Sequence, residues 1–313
     1  MYSDRLTKVE QELAQRLPKP PAMGSVRTTN VWIVEWLPEH KDDPRTGLRL
    51  HEWMETCSPG WSAYKRCETK HEVIVAIDRA ESRAQKSGVI PILHLEAHGA
   101  DFGLVGPDGT GGEEVLGWGE LIEPLQRLNL ATRCNLVLVV AACIGFSGIQ
   151  ALTRGPRAPA VALVGPGAAV LPSKLFLGTK EFYRRWQDES PRLHEIAESA
   201  SQEAGTVDFV VEPFVALTYE AFVEELIVSM RPIATSIRVD RIRETMLSVK
   251  GGSADNLENR LAQSPRVLPD LWQQIWDEMF MIDLYPENRE RFGLDMRAIV
   301  NLVAGKTFPS VNA

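Results

Sequence analysis

Pro91-Ile92-Leu93-His94-Leu95-Glu96-Ala97-His98-Gly99 and Leu136-Val137-Leu138-Val139-Val140-Ala141-Ala142-Cys143-Ile144-Gly145 are the two stretches on which the fold of this chain turns. Each is a short, nearly continuous apolar run, the pattern of a strand buried on both faces of a parallel sheet. Each stops at a reactive side chain, an imidazole in the first and a thiol in the second. Neighbouring strands would bring His98 and Cys143 together at the carboxyl edge of the sheet, where open α/β folds hold their ligands. A nucleophilic cysteine with its base needs that arrangement.

Outward from these runs, strands and helices alternate. Residues 30–37, with Val31, Trp32, Ile33 and Val34 before Pro38, read as the opening strand. Residues 39–47 are polar and lead to a short helix at 48–55; 64–68 reads as a second strand. Residues 71–85 have helical spacing up to a Gly88 stop. After the strand at 89–97, the glycine-rich 101–112 segment with Pro107-Asp108-Gly109 signals a turn or short hairpin. A helix at 118–128, a strand at 136–142, a helix beginning at 144–152, a strand at 160–164 and a helix at 174–186 follow. This order predicts an α/β fold with a mostly parallel sheet flanked by helices. Beyond residue 188 the pattern turns helical (195–203, 214–230, 236–248, 270–281, 294–303), with only 207–211 resembling a strand. The expected organisation is an N-terminal extension at 1–27, a catalytic core at 28–187, and a mainly helical part at 188–313 that regulates the core or packs on it.

Composition bounds the function. With 313 residues, 44% of them hydrophobic, the chain holds material for one large α/β domain or two smaller ones. A net charge of −8 disfavours nucleic acid and anionic membranes as partners, leaving proteins, peptides or small molecules. The charged N-terminus lacks the apolar stretch of a secretory signal, and no run approaches the length of a membrane span, so a cytoplasmic location is expected. Cys57, Cys67, Cys134 and Cys143 form no CxxC pair, which argues against both a structural zinc site and a disulfide framework.

At the carboxyl end of its strand Cys143 gains from the backbone N–H groups opening the next element, which favour a thiolate. His98 is the matching general base or acid, and the N–H groups of Gly99 and Cys143 are the candidate oxyanion hole. The bland alternative for Cys143 is a small buried hydrophobe. His94, Glu96 and His98 alternate along one strand and share a face, which invites a metal reading. The segment fits neither the helical zinc-protease pattern nor the His-x-Glu with Pro-Cys-x-x-Cys of the deaminases, so no metal is expected. Gly145-Phe146-Ser147-Gly148 lacks a spacer of the G-x-S-x-G elbow, and Gly165-Pro166-Gly167 is not followed by the lysine of a phosphate loop.

Leu93-His94-Leu95-Glu96-Ala97-His98-Gly99 and Val139-Val140-Ala141-Ala142-Cys143-Ile144-Gly145 resemble the two catalytic strand ends of the caspase-like cysteine peptidases, the clan of caspases, metacaspases, separase, gingipains and bacterial CHAT peptidases. Gly103-Leu104, Asp108-Gly109 and Trp118-Gly119-Glu120-Leu121 resemble the segment that CHAT members place between those strands. The resemblance covers about residues 28–187. It implies a Cys143/His98 dyad cleaving peptide bonds through a thioester without cofactor, on a mostly parallel sheet. It also implies latency until a protein activator or cleavage intervenes, in the manner of bacterial anti-phage or cell-death systems. Caspases carry Gln-Ala-Cys-Arg-Gly; Ala141 and Ile144 depart from it, so a preference for aspartate is not implied. For the substrate pocket, Glu35, Glu96, Asp101 and Asp108 are candidates to hold a basic side chain, and Phe102 and Trp118 to hold an apolar one. A non-catalytic scaffold of the same fold, or another cysteine hydrolase or acyltransferase, remains an alternative.

Overall fold

The structure is a computed structural model that describes residues 5–38, 45–145, 152, 156–187, 193–205, 209–229 and 267–307. Two compact units emerge: residues 25–154 with 158–214, built on a sheet, and residues 1–24, 155–157 and 215–313, built of helices. The sheet unit thus extends past residue 187, the edge expected from composition, because one more strand joins it after two helices. The described N-terminal residues through Gly24 belong to the helical unit.

Along the sheet unit run β1 (Asn30–Trp36), α2 (Thr46–Cys57), β2 (Ser62–Arg66), α3 (Lys70–Ser87), β3 (Pro91–Ala100), β4 (Gly103–Pro107), β5 (Glu113–Gly117), α4 (Trp118–Ala131), β6 (Val137–Ala141), β7 (Ala162–Pro166), α5 (Pro172–Gln187), α6 (Leu193–Ala204) and β8 (Phe209–Pro213). The spatial order is β2-β1-β3-β6-β7-β8, with the β4–β5 hairpin attached to the end of β3. Every pairing on that path is parallel except β7 with β8. The expected mostly parallel α/β sheet is therefore present. All five residues of β6 and of β7 are buried, as central strands covered on both faces must be.

The helices follow from their ends. Thr69 caps α3 by accepting the Glu72 N–H at 3.2 Å, and Gly88, at φ +65°, closes it in the left-handed conformation that glycine adopts without strain. The Glu120 side chain reaches back 2.9 Å to the Gly117 N–H and so fixes the start of α4. The chain runs from β1 to β2 in one direction and from β2 to β3 in the other, so the strand order reverses at β1; open α/β sheets hold ligands at the carboxyl ends of strands flanking such a reversal.

β3 outruns its sequence reading. It is parallel to β1 through Ala97 and to β6 through Glu96 and then continues, pairing His98 with Val105, Gly99 with Leu104 and Ala100 with Gly103 in antiparallel fashion. His98 lies where the strand leaves the parallel sheet for the hairpin. The hairpin folds over Trp36, whose indole N–H donates to the Pro107 carbonyl at 2.9 Å; Gly106 faces that ring so closely that a methyl group there would sit 2.6 Å from the Trp36 carbonyl oxygen. The helix expected from residue 144 and the one expected at 236–248 lie outside the described residues, the former from residue 146.

The helical unit contains α1 (Lys8–Arg16), α7 (Phe214–Ser229, whose first residue belongs to the sheet unit), α8 (Val267–Met279), α9 (Arg289–Phe292) and α10 (Met296–Thr307). Its core is aromatic: Tyr219, Phe222, Trp272, Trp276, Phe280 and Phe292 meet in edge-on, tilted and stacked pairs with ring centroids 4.8–6.4 Å apart. The N-terminal segment is tied in by the Tyr219 hydroxyl on the Pro18 carbonyl and by Arg5 on Glu224 and Glu225. No helix among the described residues is long and apolar enough to cross a membrane.

Candidate active site

Register determines which side chains share a surface. In β3 and β6, His94 faces Val139 and Glu96 faces Ala141, the last pair of the ladder; His98 and Cys143 each lie two residues beyond it. Neighbouring strands lie about 5 Å apart. Gly99 shows how closely the two segments approach. A methyl group on Gly99 would overlap the Cys143 carbonyl oxygen and lie 2.9 Å from the Cys143 nitrogen. Only a residue without a side chain admits this approach. The His98 side chain is exposed and Cys143 is half-buried.

Beyond β6 the backbone N–H groups are unequally used. The Ile144 N–H is taken by the Ala168 carbonyl at 3.2 Å and the Gly145 N–H by the Ala142 carbonyl at 3.0 Å, whereas the Cys143 N–H makes no backbone hydrogen bond among the described residues. Ile144 holds φ at +53°, a left-handed conformation that a β-branched residue adopts only under strain. The thiol itself donates to the Val170 carbonyl at 3.6 Å rather than to the His98 ring.

Beneath this row, on the same face, lies a buried polar network. Glu35 and Glu96 are register partners on β1 and β3, exposed by 1% and 3%. Glu35 accepts the Gly47 N–H at 3.0 Å and a short hydrogen bond from the Tyr64 hydroxyl, with Arg45 at 3.7 Å. Glu96 accepts a short hydrogen bond from Thr46, and its other oxygen lies 3.4 Å from Nε2 of His94, whose Nδ1 meets the Tyr183 hydroxyl at 2.9 Å. Thr46 and Gly47 open α2, so the two carboxyls hold that helix N-terminus, whose dipole favours negative charge. Burial, reinforced by Glu96, nevertheless raises Glu35 above the usual carboxyl range, and burial with nearby Glu96 pushes the Tyr183 phenol well up.

The six candidate pocket residues therefore separate. Glu35 and Glu96 are engaged inside the fold. Asp108 accepts from the Thr110 N–H, the Thr110 hydroxyl and the Gly112 N–H, bonds that hold its pKa below the usual value and make it the organiser of the β4–β5 turn. Trp118 is buried with its indole on the Asp101 carbonyl at 3.0 Å. Asp101 and Phe102 alone are exposed, Phe102 by 63%, at the turn three and four residues past His98. Sequence reasoning missed Thr46, Gly47, Tyr64, Tyr183 and Val170. Tyr183 was hidden in an amphipathic helix, and Val170 acts through its backbone, which sequence does not display. Among the described residues no three His, Cys, Asp or Glu side chains converge as a metal ion requires.

No protein-family model matches the sequence, and no curated protein matches it. Among solved structures, the complex of the RgpB pro- and mature domains from Porphyromonas gingivalis is similar at 12% identity with a TM-score of 0.36, over 68% of this chain and 54% of that one. The likeness spans about half the length of that chain, and no residue role is transferred from it.

Proposed function

We propose that this chain is a caspase-like cysteine endopeptidase acting on a protein substrate, with Cys143 as nucleophile and His98 as general base and acid. The observation that supports the reading is the close approach of Gly99, the residue after His98, to the Cys143 backbone. In the reaction, His98 accepts the thiol proton while Sγ bonds the scissile carbonyl carbon and the carbonyl π pair moves onto oxygen. The Cys143 N–H, which makes no backbone hydrogen bond among the described residues, and the Gly99 N–H are the donors for that oxyanion. Collapse expels the amine, which takes its proton from His98, and leaves a thioester that water hydrolyses with His98 as base. Asp101 and Phe102 face the substrate at the β3–β4 turn; an exposed carboxylate there favours a basic neighbour to the scissile bond, and Phe102 an apolar one.

The test uses peptide libraries carrying a cysteine-reactive electrophile, with the full chain, followed by cleavage of the peptides selected. Labelling of Cys143 that depends on peptide sequence and falls by about a thousand-fold in His98→Ala supports the reading. Labelling at the same rate with and without His98, or library cleavage that survives Cys143→Ala, overturns it.

A further inference from the structure

We propose that residues 167–171 form a strap that holds Cys143 at rest, and that release of the strap from two hydrogen bonds is the step that frees the thiol for His98. The inference rests on Cys143 being the nucleophile and names the regulation of that site. The strap, Gly167-Ala168-Ala169-Val170-Leu171, joins β7 to α5. Its ends are fixed: β7 runs through Pro166, and the Leu171 carbonyl accepts the Lys174 and Leu175 N–H groups, both at 2.9 Å. Between those anchors it crosses the catalytic turn. Ala168 accepts the Ile144 N–H at 3.2 Å, and Val170 accepts the thiol at 3.6 Å.

Two physical features make this a resting arrangement. A thiol whose hydrogen bond goes to the Val170 carbonyl has its proton directed away from His98, whereas attack needs that proton handed to a base. The strap also has little to hold it down. Gly167, Ala168, Ala169 and Leu171 are exposed, Leu171 by 68%, and Val170 is half-buried. With side chains no larger than a methyl over its first three residues, it has almost no apolar surface to bury against the sheet. A sulfur hydrogen bond and a single amide bond are weak pins, so a substrate backbone or an activator that competes for them displaces the strap at small cost.

The test reads thiol accessibility by iodoacetamide alkylation of the full chain in a Cys57→Ser background. Cys67 and Cys134 are buried, so that background reports Cys143. Ala168→Gly with Ala169→Gly raises the conformational freedom of the released strap without touching β7 or α5. It is expected to speed alkylation of Cys143 by about five- to thirty-fold. A second measurement needs no strap substitution: alkylating Cys143 removes the thiol donor, and amide hydrogen exchange at Ile144 is expected to rise as its bond to Ala168 opens more often. Unchanged alkylation in the glycine variant together with unchanged exchange at Ile144 overturns the strap. Faster alkylation with no peptide cleavage by the glycine variant upholds the strap and counts against the peptidase reading, so the two failures are distinguishable.

Discussion

Glu35→Gln is expected to stabilise the protein progressively as pH rises. In the folded chain Glu35 is buried beside Glu96, and the desolvation of its charge, together with the neighbouring carboxyl, raises its pKa above the usual carboxyl range. A folded-state pKa raised above the unfolded one means that the native protein holds a proton the unfolded chain has released. Stability conferred by that proton is fully present below the usual carboxyl range and is lost as pH climbs through the raised value. The slope for one such proton is at most about 1.4 kcal/mol per pH unit. Glutamine keeps the shape, its carbonyl still accepts the Gly47 N–H and its amide meets the Tyr64 oxygen, but it has no proton to lose. The groups facing it, Glu96, Tyr64 and Arg45, are unchanged. Urea unfolding from about pH 5 to 8 should therefore show wild type and variant diverging with pH, the variant flatter and the more stable at the alkaline end. A constant difference across the range refutes the reasoning. So does a loss of several kcal/mol at the alkaline end, for it would mean that an ionised Glu35 paired with Arg45 holds α2 in place.

Gly99→Ala should be the most damaging single methyl in the sheet unit: overlap with the Cys143 carbonyl costs about 1–3 kcal/mol, seen as a lowered urea midpoint, and misplaces His98 enough to reduce electrophile labelling of Cys143 by about a hundred-fold. Gly88→Ala separates backbone strain from clash, since nothing lies within 4 Å of the added methyl while φ is +65°; a loss of about 1 kcal/mol in urea unfolding is expected. Ile144→Gly relieves a left-handed β-branched residue and should change stability by less than about 1 kcal/mol in either direction, because relieved strain opposes the entropy glycine adds to the unfolded chain. Asp101→Ala should shift the relative cleavage of basic and neutral library peptides by only about two- to five-fold, the size of an exposed charge interaction.

What the sequence made legible was set by backbone periodicity. The runs ending at His98 and Cys143 could be read because central strands of a parallel sheet need apolar residues on both faces, and that need leaves an unbroken signature in β6 and β7. The order of elements then implied neighbouring strands, and β3 beside β6 is what the chain adopts. Periodicity fails where a strand changes partners. β3 continues past Ala97 because His98, Gly99 and Ala100 find antiparallel partners in β4, a pairing made by the hairpin that follows and carried by no property of the three residues themselves. The strand read at 207–211 is found at Phe209–Pro213, but nothing in its residues shows that it pairs antiparallel with β7 and carries the sheet unit to residue 214.

The carboxylates show a further limit. By sequence, Glu35, Glu96, Asp101 and Asp108 are equivalent acidic residues near the carboxyl edge of a sheet. Folding gives them three different conditions: a buried pair beneath the helix start, an exposed turn residue, and an organiser of a hairpin turn. The buried pair places two carboxyls side by side one row below the imidazole and thiol, with their hydrogen bonds directed to α2 and β2 rather than towards the reactive row. Their acceptors go to the Thr46 hydroxyl and the Gly47 N–H, so the pair seats the start of α2. Glu96→Gln keeps an acceptor for Thr46 and should leave the urea midpoint close to wild type, whereas Glu96→Leu strands the buried Thr46 hydroxyl and should lower stability by about 1–3 kcal/mol. Equal midpoints for the two variants would show that the bond from Thr46 does not hold α2 in place.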